Sequence, residues 1–354
     1  MVLNIGFRCD GNSILGMGHV SRCLGLAEVL RDQYADHIHF YMFDSSAAVN
    51  LVQSKGFKVT ELAGGEFEDL TRALRGFYTD VWVIDERKYL TPQDLLGLKS
   101  NGAKVILIDD LGEKRANADL AFYPPIYQVT QLNWSRFSGE VYSGWEWVLL
   151  KPEFAESPNK LNSNPDNNLN ILVTLGGADP WGFTQRILGA LDSIDHNFSI
   201  EVVTNSGFHW HDDLQDFFIM HSFIHPIKIT KNPSDMRSIM LSADLAIASF
   251  GVTAYELAAT GVPSILVCPT EDHYHSALLF ETNGLGVIVD VSDKQHQRPP
   301  YLEEQVIEGV THLMASPELL VNMGKQSRKL CTGEGVQMIA AKLHEVTENN
   351  KTLN

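Results

Sequence analysis

Four segments carry residue types that could do chemistry. The first runs from Arg8-Cys9-Asp10-Gly11-Asn12 to Gly16-Met17-Gly18-His19-Val20-Ser21-Arg22-Cys23. A strand-like run ends, a glycine-bearing loop follows, and a helical pattern begins near His19. Glycines let a backbone approach a ligand closely, and a helix N-terminus offers unpaired N–H groups and a partial positive charge. An imidazole there has its cationic form disfavoured, which keeps it neutral and able to act as a base. The same spacing also suits a packing histidine on an ordinary β–α turn. The second segment is Thr174-Leu175-Gly176-Gly177-Ala178-Asp179-Pro180. Its paired glycines allow close approach to a phosphate, or make a plain strand-to-helix turn.

The third segment is the most informative. Leu245–Ser249 reads as a strand, Phe250-Gly251 as a turn, and a helix is expected from Val252 to Gly261, with Pro263 opening the next strand. Ser249, Gly251, Val252 and Thr253 would form an anion site of the diphosphate type. Glu256 follows one turn later, where a carboxylate suits the two hydroxyls of a ribose; the plainer reading is a solvated helix-face glutamate. The fourth segment, Pro269-Thr270-Glu271-Asp272-His273-Tyr274-His275, reads as a polar loop after that next strand, and His-x-His recurs at His209–His211. No carboxylate–histidine set with zinc spacing surrounds these pairs, so no metal is expected and His273 is assigned to hydrogen bonding.

Such residues need elements to position them. Strand-like runs at Leu3–Arg8, His37–Phe43, Phe57–Leu62, Val81–Asp85 and Lys104–Asp109 alternate with helical patterns. The clearest of these places Val20, Cys23, Leu24, Ala27 and Leu30 on one face. A second series follows at Ile171–Leu175, Phe198–Val203, Ile227–Thr230, Leu245–Ser249, Ser264–Val267 and Gly286–Val289. Strands separated by helices make parallel sheets. Between the series, the asparagine- and proline-rich stretch 155–170 reads as a linker or loop. The expectation is two doubly wound α/β domains, residues 1–157 and 171–347, joined by a linker at 158–170 and followed by a polar tail at 348–354. Ligands bind beyond the carboxyl ends of parallel strands, so a cleft at the domain interface is the expected site.

Composition agrees. A chain of 354 residues, 44% apolar and 20% charged, is globular and of two-domain size, not disordered, coiled-coil or collagen-like. A net charge of −17 argues against nucleic acid and against broad attachment to anionic lipid. It says nothing against a nucleotide held by backbone amides. Cys9, Cys23, Cys268 and Cys331 lie far apart and suggest neither disulfides nor a zinc knuckle. No cationic leader and no run of about 18 apolar residues is present, so a soluble, cytoplasmic protein is expected.

The Gly16-x-Gly18-His19-x-x-Arg22-Cys23 loop and the Gly251…Glu256…Gly261-Val262-Pro263 segment together resemble a known family. The chain looks like the UDP-sugar hydrolases of pseudaminic acid biosynthesis, relatives of MurG-type glycosyltransferases of GT-B fold. These enzymes remove UDP from UDP-2,4-diacetamido-2,4,6-trideoxy-β-L-altrose. The resemblance runs from Phe7-Arg8-x-Asp10-Gly11 to Gly333-Glu334-Gly335 and includes Ile108-Asp109-Asp110-Leu111 and Leu150-Lys151-Pro152-Glu153-Phe154. It implies that His19 is the catalytic base, that Glu256 binds the ribose, and that Gly176, Gly177 and the Ser249–Thr253 turn surround the diphosphate. Arg8, Asp10, Gly16, Gly18, Arg22, Tyr89 and His273 complete the expected ligand contacts. One stretch departs. Where the family reads Asp-His-Tyr after its fourth strand, this chain reads Asp85-Glu86-Arg87-Lys88-Tyr89, with Tyr89 two residues beyond the matched position. Phe122-Tyr123-Pro124-Pro125 replaces the family's Asp-Gln-Asn segment. The nucleotide half is thus retained and the sugar- or acceptor-facing half altered. The expectation is an inverting UDP-sugar hydrolase needing neither metal nor cofactor. A glycosyltransferase with the same donor, or an inactive nucleotide-sugar binder, are the alternatives; UDP release from the donor alone discriminates them.

Overall fold

In a computed structural model the described residues are 1–12, 16–43, 46–62, 67–73, 78–156, 169–176, 179–205, 207–208, 210–292 and 301–351. The chain divides into two units, Met1–Pro152 with Gly333–Asn354, and Glu153–Thr332. Most of the expected linker, residues 158–168, lies outside the described residues.

The first unit carries seven parallel strands: β1 (Asn4–Cys9), β2 (His37–Phe43), β3 (Lys58–Leu62), β4 (Val81–Asp85), β5 (Lys104–Ile108), β6 (Leu120–Tyr123) and β7 (Glu140–Ser143). Their order is β3-β2-β1-β4-β5-β6-β7. Central strands of such a sheet are covered on both faces and read as unbroken apolar runs; β4 is buried throughout. Side chains alternate between faces. Leu3, Ile5, Phe7, Val81 and Val83 join one core with Val20, Cys23, Leu24, Ala27 and Leu30 of the Gly18–Tyr34 helix. Trp82, Ile84 and Leu107 join a separate core. Strands β6 and β7 were not expected. Each has four residues, and β7 is mostly exposed, so neither shows a periodic signature; they form by pairing onto β5 in turn.

The last helix corrects the expected boundary. Gly335–Lys351 belongs to the first unit, not to the second as the range 171–347 implied. Val336, Ile339, Ala340 and Leu343, spaced as one helical stripe, join the first unit's core, and His344 stacks on Tyr34 with centroids 4.1 Å apart. An apolar stripe is legible in a sequence; the partner that covers it is not. The supposed polar tail also continues this helix as far as Lys351.

The second unit carries β8 (Leu169–Thr174), β9 (Phe198–Thr204), β10 (Ile227–Lys231), β11 (Leu245–Ser249), β12 (Ser264–Cys268) and β13 (Gly286–Asp290), all parallel, in the order β10-β9-β8-β11-β12-β13. The fourth sequence segment is a helix rather than a loop. Glu271–Thr282 begins at once after β12 because Thr270 caps it, its Oγ1 accepting from the His273 N–H at 3.2 Å. All four cysteines are buried thiols. Among the described residues no helix is long and apolar enough to cross a membrane.

In both sheets the strand order reverses direction beside the first strand, between β1 and β4 and between β8 and β11. Crossovers leave opposite ways there, which opens a crevice at the carboxyl ends. His19 follows β1 and Asp85 ends β4; Gly176 follows β8 and Ser249 ends β11.

Candidate active site

In the first unit, Cys9 of β1 pairs opposite Asp85 of β4, so the loop after β1 and the end of β4 meet. The loop closes with Gly16 N donating to Asn12 O at 2.8 Å. Gly16 has φ +74°, a conformation that glycine adopts without strain. The helix then starts at Gly18 with Met17 before it and no side-chain cap.

His19 lies in the first turn, and its Nδ1 is 2.7 Å from Asp85 Oδ1. Arg22, one turn on, donates Nε to Asp85 Oδ2 at 2.5 Å and Nη2 to Oδ1 at 2.6 Å, a two-pronged grip. Burial alone would push the Asp85 carboxyl up. The charge and hydrogen bonds of Arg22, with the bond from His19, outweigh it and hold the group well below the usual carboxylate range. Burial likewise opposes the Arg22 charge, yet Asp85 and then Asp109 keep the guanidinium protonated. An ionised carboxylate only accepts, so the bond to Asp85 places a hydrogen on His19 Nδ1, and in the neutral ring the lone pair is then on Nε2. The imidazole is 24% exposed, enough for that lone pair to meet a ligand.

The network continues. Asp109, just past β5 and at φ +51°, accepts at Oδ2 from Arg22 Nη1 (3.4 Å) and from Arg87 Nη2 (2.8 Å). Its Oδ1 is buried without a hydrogen-bond partner among the described residues. Glu86 turns inward. Its carboxylate accepts from the N–H groups of Lys88, Tyr89 and Leu90 at 2.8, 2.7 and 3.1 Å and pairs with buried Lys114 at 2.7 Å. Burial works against the Glu86 charge, but Lys114 outweighs it and holds the carboxyl low. The two residues that follow Asp85 are therefore a structural clamp, Glu86, and an exposed cation, Arg87.

Arg8 and Asp10 do not line the surface. Arg8 is fully buried, its Nη1 is 2.7 Å from Asp10 Oδ1, and its guanidinium lies 5.6 Å over the half-buried Tyr89 ring. Asp10 also accepts from Phe43 N at 2.6 Å, and Phe43 stacks on Tyr89.

In the second unit, Gly176 follows β8 with φ +79°; Gly177 and Ala178 lie outside the described residues. The next helix, Phe183–Asp192, is already capped from within. Buried Asp179 accepts from Phe183 N (3.0 Å) and Thr184 N (2.8 Å). An anion near Gly176 would meet loop amides rather than that helix end. The Val252–Thr260 helix differs. Gly251 precedes it at φ +158°, ψ −155°, backbone open essentially to glycine alone, and no side chain caps it. Its first-turn N–H groups and positive end are thus not taken by a cap. Val252 and Glu256, four apart, share one face. His273, in the first turn of the Glu271–Thr282 helix, has its ring 6.1 Å from Phe250. Burial holds this imidazole below its usual value against the opposing charge of Asp272, and its Nδ1 is buried without a hydrogen-bond partner among the described residues. Ser249, Gly251, Val252, Thr253 and His273 therefore stand at the ends of neighbouring β11 and β12, and Glu256 lies one turn further along the Val252–Thr260 helix. Among the described residues no group of three or more metal-binding side chains occurs; His209 lies outside them.

Sequence reasoning overlooked Asp85, Asp109 and Arg87 as site residues. The signal was available: two acids end or directly follow apolar strands, where ligands gather in parallel sheets.

Residues 170–343 match the glycosyltransferase family 28 C-terminal domain. The spore coat polysaccharide biosynthesis protein SpsG of Bacillus subtilis is 26% identical over 354 residues, covering 98% of this chain and 99% of SpsG. An uncharacterized protein of Methanocaldococcus jannaschii is 27% identical over 76% of this chain, which spans only 56% of that protein's length. The UDP-2,4-diacetamido-2,4,6-trideoxy-beta-L-altropyranose hydrolase of Campylobacter jejuni is 23% identical over 68% of this chain and 85% of its own. Among solved structures, Acinetobacter baumannii MurG superposes with a TM-score of 0.68 at 16% identity, covering 97% of this chain and 99% of MurG. Anabaena HepE in complex with UDP does so at 0.62 and 14%, covering 97% of this chain and 100% of HepE. The fold is thus GT-B-like, two Rossmann-like α/β domains.

Proposed function

We propose that the protein is a nucleotide-sugar hydrolase that releases UDP from a UDP-linked amino or deoxy sugar in surface-polysaccharide or nonulosonic acid biosynthesis. One observation carries the reading: His19 bound through Nδ1 to an ionised, buried Asp85 that Arg22 also grips. This pair is a general base with a fixed tautomer. Nε2 takes a proton from water, the water oxygen bonds to the anomeric carbon, and the carbon–oxygen bond to UDP breaks with inversion. A positioned base contributes typically about 10²–10⁴-fold. The departing diphosphate is met by backbone N–H groups at Gly176 and at the start of the Val252–Thr260 helix, and the ribose by Glu256. Such preorganised donors can serve where other enzymes use a metal. The Campylobacter hydrolase, by its name, supports hydrolysis; SpsG, by its name, supports the polysaccharide setting.

A second reading keeps the donor and replaces water by a sugar or lipid hydroxyl. The family 28 match and the Glu86–Arg87 departure favour it. Incubation with UDP-sugars in ¹⁸O-water separates the two. Hydrolysis puts the label in the free sugar and none in UDP, and His19→Ala abolishes release while UDP affinity stays within a few-fold. Label in UDP refutes attack at carbon. Release that begins only when an acceptor is added favours the glycosyltransferase.

A further inference from the structure

The Glu86–Leu90 turn reads as a built anion seat beside the base, and this inference rests on the proposed nucleotide-sugar function. The carboxylates around it are matched by buried or nearly buried cations: Asp85 by Arg22, and Glu86 and Asp110 by Lys114 at 2.7 and 3.1 Å. What reaches solvent in that turn, in a chain of net charge −17, is Arg87 and Lys88. The Arg87 side chain is 56% exposed and is tied by one nitrogen, Nη2, to the Asp109 carboxylate (2.8 Å) and carbonyl (3.2 Å). A planar guanidinium has five N–H donors, so Nη2 can stay on Asp109 while Nη1, which carries two of them, donates to a second carboxylate.

The seat is rigid. Glu86 collects three successive backbone N–H groups and a buried lysine, and Lys88 Nζ rests 5.2 Å over the Tyr89 ring. Holding these cations therefore costs little extra order when a ligand arrives. The seat is also wired to the base. Arg87 shares the Asp109 Oδ2 atom with Arg22, and Arg22 shares Asp85 with His19. We infer that the sugar placed at His19 carries a carboxylate, that Arg87 binds it with help from Lys88, and that the substrate class is a nucleoside diphosphate linked to an acidic, uronate-type sugar. No new bond chemistry is involved: water adds to the anomeric carbon, UDP leaves, and the sugar carboxylate is untouched.

Calorimetry with the whole protein tests this, using UDP-glucuronate and UDP-glucose as a pair that differs only by carboxylate against hydroxymethyl, and UDP as the reference. Wild type should bind UDP-glucuronate at least tenfold more tightly than UDP-glucose. The ratio should fall toward one in Arg87→Gln and be partly kept in Arg87→Lys. Raising the salt concentration in wild type should shrink it too, because exposed charges are screened; this arm needs no variant to fold. Equal affinities in wild type, or a preference that survives Arg87→Gln, overturn the inference while leaving the hydrolase reading intact. Failure of UDP and both sugars to bind overturns the two together.

Discussion

Replacing Asp85 by Asn keeps the shape of the side chain and removes its charge. Two consequences can be separated. The first is stability. Asp85 is 1% exposed and receives two short bonds from Arg22, and breaking a buried ion pair by changing one partner costs about 3–5 kcal/mol. Arg22 keeps Asp109 at 3.4 Å and is 12% exposed, so the lower end, about 3 kcal/mol, is expected. The second is catalysis. An amide at position 85 can present its NH₂ to His19, which then accepts through Nδ1 and leaves the hydrogen on Nε2, the wrong tautomer for a base. A base lost in this way lowers kcat by about 10²–10⁴-fold, or about 2.7–5.4 kcal/mol of barrier. The assay is UDP release with kcat and KM determined separately, normalised to the folded fraction from a urea melt. Asp109→Asn is the control, since it loosens Arg22 and leaves the His19–Asp85 bond. A folded Asp85→Asn protein with kcat within about threefold of wild type would refute the base assignment, whatever its melting temperature.

Two further outcomes are expected. Glu256→Ala should weaken UDP binding by at least about tenfold, since hydrogen bonds to a charged group contribute about 1.5–3 kcal/mol; unchanged affinity in calorimetry removes Glu256 from the ribose. Lys114→Met should destabilise by about 3–5 kcal/mol at neutral pH, because Glu86 and Asp110 lose their buried cation. Glu86 is held below its unfolded value, so its contribution in wild type is full above about pH 4.3 and is lost as pH falls through the folded value. The Lys114→Met deficit should therefore shrink in melts taken well below about pH 4, and a deficit equal there and at neutral pH would show that the pair is not its source.

Local patterns determined much of this protein. Apolar runs marked eleven strands because each central strand is covered on both faces, and Gly251 and Gly261 bracketed a helix because only those backbones suit its start and stop. His19, Gly176 and Glu256 stood out for the same reason, since the spacing that recommends them lies within one turn of chain. What stayed hidden depended on pairing across sequence. β6 and β7 are too short to show a period and exist because β5 offers an edge. The stripe on Gly335–Lys351 could have covered either unit and covers the first. Arg8 and Asp10, which looked like ligand contacts, are sealed under Tyr89 and Phe43. The proposed base is a tertiary product: His19 and Asp85 are 66 residues apart and meet because β1 and β4 pair in register, with Cys9 opposite Asp85. A sequence specifies the side chains that can hold a proton; the sheet order decides which carboxylate stands beside which imidazole, and so which proton can move.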